Sequence, residues 1–149
     1  MKFKIPRPLK LEHGELHGKL VKAIEEGGKI GDAATAVAKV LHPHFVKEEE
    51  YALPPIGLLQ VLAKGKVSKD MEDVLVMSDR LKKDLPQMLK EHKAIVAKLK
   101  KLVSAAKKKK RPEFAHFAEK LMIHAQTEEE VLYPAAILIG EFIKLKLKE

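Results

Sequence analysis

The sequence predicts an all-α protein, an up-down-up-down four-helix bundle with a metal site in the bundle core. Three observations carry that expectation. The chain is 34% charged and 46% hydrophobic, and Ala, Leu, Lys and Glu dominate, a composition that favours helix. Apolar residues recur at helical spacing along four long stretches, separated by short connections marked by Gly or Pro, and no segment alternates as a strand would. Finally, HFVKEEEYALP (44–54) returns eighty residues later as HAQTEEEVLYP (124–134), both reading H-x-x-x-E-E-E-x-x-x-P.

The first helix is expected from about Leu9 to Glu26, with Leu16, Leu20 and Ile24 on one face. Gly27, Gly28 and Gly31 mark a turn, and Asp32 is a candidate N-cap for the second helix. That helix carries Val37, Val40, Leu41, Phe45 and the first motif, and Pro54 and Pro55 should break it. A shorter helix over Ile56 to Ala63 precedes a connection from Gly65 to Asp70, where Ser68 or Asp70 could cap the third helix. The third helix should run from about Met71 to Lys107, bending at Pro86. Pro112 suits the first position of the fourth helix, which holds Phe114, Phe117, Leu121 and the second motif and should bend at Pro134 before continuing to about Leu145. Such an array at 149 residues reads most simply as one domain over residues 1–149.

Composition narrows the chemistry. The chain has no cysteine, which excludes disulfides, thiolate metal sites and a Cys nucleophile. Any metal must be held by nitrogen and oxygen, a donor set suited to iron, manganese or zinc. No leader peptide is expected from MKFKIPRPLKLEH, which lacks a long apolar stretch. No apolar run reaches the roughly 18 residues of a membrane span, so a cytoplasmic protein with no membrane partner is expected. The net charge is +8. Lysines are spread along the helices apart from Lys107–Lys110 and Arg111, and with 5% aromatics no stacking platform is evident. The basic character is therefore assigned to solubility, and no nucleic-acid partner is expected.

The histidines carry the chemistry. Residues i and i+4 share one helix face, so His44 with Glu48, and His124 with Glu128, each offer an imidazole and a carboxylate to the same neighbour. His92 lies in an apolar seam with Leu85, Met88, Leu89, Ile95, Val96 and Leu99. His13 and His17 form an i, i+4 pair followed by Leu20 and Ile24. Counting from the expected turns near residues 29 and 110 brings all these groups to similar height in the two antiparallel pairs. His42 points about 200° from His44, and His116 lies about 80° from the His124 stripe, so both are expected at the surface. Glu49, Glu50, Glu129 and Glu130 are expected in solvent, with Glu129 an alternative to Glu128. Tyr51 is left open between lining the site and packing the core, and Tyr133 is assigned to the core. Buried carboxylates are costly unless a cation offsets them. Two divalent ions bridged by two glutamates and completed by imidazoles would do so.

The pattern His…His-x-x-x-Glu…His…His-x-x-x-Glu, carried by EHGELH, HPHFVKEEE, KEHKAI and HAQTEEEVLYP, resembles the hemerythrin-like, or HHE cation-binding, domains. The resemblance spans nearly the whole chain. It implies two iron ions in a non-haem, oxo- or hydroxo-bridged centre between four helices. Glu48 and Glu128 would bridge; His44, His92, His124 and one or both of His13 and His17 would be terminal ligands. The sequence departs from the family's oxygen carriers in two places. Its His pair sits on the first helix and Met88 stands four residues before His92, and the second motif has Glu at i+4 where the carriers have Asp at i+5. Both departures weigh against simple oxygen storage. A reversible carrier, an enzyme acting on dioxygen, peroxide or nitric oxide, an iron or oxygen sensor without turnover, and a metal-free structural bundle remain as readings.

Overall fold

A computed structural model describes residues 4–149. Four helical rods run up, down, up and down. The first is α1 (Arg7–Glu25) and the second is α2 (Gly28–Lys47), extended by a π-helical turn over Glu48–Ala52. A crossover then includes a 3-10 turn, Pro54–Leu58, the short α3 (Leu59–Ala63) and another 3-10 turn, Lys69–Met71. The third rod is α4 (Glu72–Lys108). The fourth consists of α5 (Pro112–Thr127), a second π-helical turn over Glu128–Leu132, and α6 (Tyr133–Lys148). In the bundle α1 packs on α2 and α5, while α4 contacts α2, α5 and α6.

Local chemistry sets the boundaries, with some departures from expectation. The α1–α2 turn is tighter than the three glycines implied. Gly27 and Gly28 both adopt positive φ, 74° and 58°, which L side chains rarely tolerate. This reversal lets α2 begin at Gly28, so Asp32 lies inside the helix and is no cap. Pro112 is the first residue of α5, as its missing N–H permits. Pro86 lies within α4, which remains helical on both sides.

The prolines after the two motifs have a specific consequence. Proline cannot donate a helical hydrogen bond, and its ring crowds the carbonyl four residues back. The backbone widens ahead of each one. Leu53 N–H donates to Glu48 C=O at 2.9 Å, and Tyr133 N–H donates to Glu128 C=O. Both are i→i−5 bonds, and both π-turns begin at the motif glutamate.

Two apolar clusters fill the interior. One, near the α1–α2 and α4–α5 turns, contains Leu16, Leu20, Val37, Leu41, Leu99, Leu102, Phe117 and Leu121. The other joins the crossover to α4 and α6 through Leu53, Ile56, Met71, Leu81, Met88, Ala136 and Ile143. Among the described residues, no helix is long and apolar enough to cross a membrane.

In the second cluster α4 and α6 approach closely at Gly140. A Cβ there would lie 2.4 Å from Ser78 Cβ, while Ser78 Oγ donates to Ala136 C=O at 2.9 Å. Gly140→Ala should therefore force the helices apart and destabilise the fold by about 1–3 kcal/mol. Chemical denaturation of the variant beside the parent chain checks this; an unchanged midpoint would contradict the close packing.

Candidate metal centre

Between the two apolar clusters lies a polar layer. His13, His44, Glu48, His92, His124 and Glu128 are all buried, with Glu48 at 0% and Glu128 at 1% exposure. Their ligand atoms form two groups, His13–Glu48–His124–Glu128 and His44–Glu48–His92–Glu128, and within each group all lie within 4.8 Å of one another. Glu48 and Glu128 belong to both. The three-residue gap between His and Glu in each motif is one helical turn, which stacks imidazole over carboxylate. The rods bearing the two motifs then face each other, so the glutamates meet at the bundle axis.

Each group uses opposite oxygens of the shared carboxylates. His44 Nε2 lies 3.4 Å from Glu48 Oε2, and His92 Nε2 lies 3.2 Å from Glu128 Oε1. On the other side His124 Nε2 is 3.3 Å from Glu128 Oε2, and His13 Nε2 is 3.7 Å from Glu48 Oε1 and from Glu128 Oε2. All four Nε2 atoms therefore face inward.

The outward Nδ1 atoms face carboxylates at the rim. His44 Nδ1 pairs with Glu91 Oε1 at 2.8 Å, His92 Nδ1 with Glu129 Oε1 at 3.0 Å, and His124 Nδ1 with Glu12. His13 Nδ1 faces Glu49 at 3.6 Å. A carboxylate that accepts from Nδ1–H fixes the tautomer and leaves the Nε2 lone pair for a cation. Glu91 is the best anchored, because Lys47 Nζ donates to its other oxygen at 2.7 Å. Burial alone would raise its pKa, but bonds from Lys47, His44 and Gln87 hold it down at about 2. Glu129 thus acts behind His92 and does not replace Glu128.

The inward groups are strained electrostatically. Burial, reinforced by the charge of Glu128, pushes Glu48 up to about 7. Burial acts on Glu128 in the same sense, but its close neighbours Glu48, His124, His13 and His92 hold it well below the ordinary carboxylate range. The two carboxylates thus share protons as a unit. Burial would lower both His44 and His124, yet the adjoining carboxylates of Glu48 and Glu128 respectively outweigh it; His44 rises and His124 rises to about 9.

A cation resolves this strain, and the donors fit one. Among the described residues the buried side-chain polar atoms without a hydrogen-bond partner are His13 Nδ1, His13 Nε2, Glu48 Oε1, His124 Nε2 and Glu128 Oε2. Every one belongs to the cluster. Orphaned buried atoms of this kind are expensive unless an ion satisfies them. The nitrogen and oxygen donors match iron, manganese or zinc.

Six of the seven ligands expected from the sequence converge here, and His17 does not. It is exposed on α1, where its ring lies 5.1 Å from that of His42. The buried stripe of α1 is His13, Leu16, Leu20 and Ala23, whose centre lies about 80° from His17. Leu16 and Ala23 were the signal that favoured His13 over His17. His42 and His116 are exposed, as their phases require.

The tyrosine left open and the tyrosine assigned to the core are placed differently from one another. Tyr51 donates to Asp84 beneath Arg80, away from the cluster. Tyr133 is the residue that reaches it: its hydroxyl donates to Glu48 Oε2 at 2.5 Å and lies 3.1 Å from both His44 Nε2 and His92 Nε2. In sequence it is an apolar-looking neighbour of Pro134. The π-turn at Glu128 inserts an extra residue, and the phase shift carries position 133 inward. Phe45 closes the other side, stacked on His13 at 4.0 Å.

Residues 7–136 match the family described as the hemerythrin HHE cation binding domain. No curated protein and no solved structure matches the chain.

Glu91→Ala should weaken metal binding about 10–100-fold by freeing the His44 ring, without altering helicity; His17→Ala should leave affinity unchanged. Isothermal titration with a divalent metal distinguishes these outcomes. A pH dependence is expected as well. The raised values of Glu48 and His124 favour the metal-free fold while those groups are protonated. That advantage is full below their ordinary values of 4.5 and 6.5 and is lost as pH rises through about 7 and about 9. The depressed Glu128 acts oppositely, but only on acidification below 4.5. Melting of the metal-free protein should therefore fall between pH 6.5 and 9, whereas metal affinity should climb as protons are displaced.

Proposed function

Since the chain belongs to the hemerythrin HHE cation-binding domain family, we propose that it is a non-haem di-iron protein that binds or activates a small ligand, dioxygen, peroxide or nitric oxide, at the His/Glu centre between its four rods. The observation that carries this reading is the sharing of Glu48 and Glu128 by two donor groups. Two carboxylates, each with one oxygen toward either group, suit a bridged pair of cations better than a single ion. Two divalent ions and two carboxylates leave net positive charge, which an anionic ligand or hydroxide can balance. Iron at such a centre supplies one-electron chemistry toward small oxygen and nitrogen ligands.

The protein's part is to hold and shield. His44, His92 and His124 present lone pairs fixed from behind by carboxylates, and His13 faces Glu49 at 3.6 Å. Glu48 and Glu128 set the spacing of the pair. The apolar clusters above and below restrict water, which strengthens every electrostatic interaction within the layer. Phe45 against His13 adds an apolar wall. No nucleic-acid or membrane partner forms part of this reading. In the basic run at the α4–α5 turn, Arg111 is engaged by Glu26 and Glu113.

Elemental analysis after anaerobic loading with ferrous iron tests the proposal. About two irons per chain are expected. Glu48→Ala or Glu128→Ala should reduce that content sharply, and His42→Ala should preserve it. A folded protein that takes up no iron would sink the reading. With iron bound, an adduct reversible under vacuum identifies a carrier, and rapid oxidation with peroxide loss identifies an enzyme.

A further inference from the structure

The two donor groups are chemically unequal. The His44/His92 group is filled by a protein hydroxyl. Tyr133, 0% exposed, places its oxygen 2.5 Å from Glu48 Oε2 and 3.1 Å from each of the two Nε2 atoms. Those three partners are the very donor atoms through which this group would hold its ion. Donors that bind one ion at right angles, with bonds of about 2.1 Å, stand about 3.0 Å apart. The Tyr133 oxygen thus has the spacing of an additional donor to the same ion.

Among the described residues nothing equivalent serves the other group. Its inward atoms, His13 Nε2, Glu48 Oε1, His124 Nε2 and Glu128 Oε2, are four of the cluster's five orphaned atoms. The difference traces to the two motifs. The residue just before the motif proline is Tyr133 in the second copy and Leu53 in the first. Both come directly after π-turns, and both are buried. Where the repeat supplies an oxygen on one side, it supplies an aliphatic side chain on the other.

We infer that Tyr133, its phenolic proton displaced by the ion and released to solvent, is an oxygen donor to the His44/His92 metal position, and that the His13/His124 position is the one left open for an exogenous small anion. This rests on the di-iron reading and adds the direction of ligand entry to it. With two imidazoles and two shared carboxylates each, the positions have four protein donors on one side and five on the other. A six-coordinate ion on the four-donor side keeps the larger vacancy. Phe45 stacked on His13 gives that side an apolar wall suited to a compact ligand.

The test is Tyr133→Phe, compared with the parent chain after loading with iron and oxidation. Phe retains the ring, so the second cluster stays packed, and iron should remain at about two per chain. The parent should show a visible tyrosine-to-ferric charge-transfer band with tyrosinate Raman modes, and the variant should lose both. Azide titration should give about one anion per iron pair in the parent and up to about two in the variant. An identical visible spectrum and azide stoichiometry in the two proteins would overturn the inference while leaving the di-iron reading intact. Failure of both proteins to hold iron would overturn that reading itself, and this inference with it.

Discussion

Two carboxylates facing each other in the middle of a helical bundle set the terms for everything around them. Glu48 and Glu128 are among the most buried groups in the chain, and an isolated buried ion costs several kcal/mol even after relaxation. Like charges at such range cannot both remain ionised without compensation. Four imidazoles and one tyrosine hydroxyl surround them. The protons these groups trap in the absence of metal, on Glu48 and His124 above all, are displaced when cations enter. Metal binding and folding are therefore coupled through one layer of side chains.

The backbone is adapted to that layer. A regular helix would continue past each glutamate in phase with the stripe below it. Prolines six residues beyond Glu48 and Glu128 instead widen the helix into π-turns that start at the motif glutamate. Each turn redirects the chain beyond it. In the second rod it leads into the crossover that closes the lower core; in the fourth it rotates Tyr133 toward the centre. The apolar clusters on either side then fix the rods, so the donors are held by packed elements and not by loops.

A rim of weaker interactions tunes the centre. Glu12, Glu49, Glu91 and Glu129 lie behind the four histidines. Lys47 bridges Glu91 and Asp84, which also receives the Tyr51 hydroxyl. Tyr51 thus reaches the centre only through this chain of partners, although it sits on the motif itself. Exposure separates the members: Glu91 is partly shielded and strongly anchored, while Glu12 and Glu49 are about half exposed. Solvent screening makes the latter two weaker supports for their histidines.

The four rods, the placement of both motifs and the identity of six converging residues were legible in the amino-acid order. Helical phase along one element is a local property, and His44/Glu48 and His124/Glu128 derive from it directly. Packing settled the features that depend on how rods are rotated against each other. On α1 the i, i+4 spacing allowed either or both histidines to face inward; contact with α2 and α5 selected the stripe of His13, Leu16, Leu20 and Ala23 and left His17 to meet His42 outside. The inward placement of the Tyr133 hydroxyl was likewise beyond local phase, because a π-turn changes the register of every later residue in the rod. The rim carboxylates are spread over all four rods, and only the packing of those rods brings them behind the right imidazoles. Residue type and spacing along one helix name the donors, but the relative rotation of helices, fixed by the whole core, decides which of them meet.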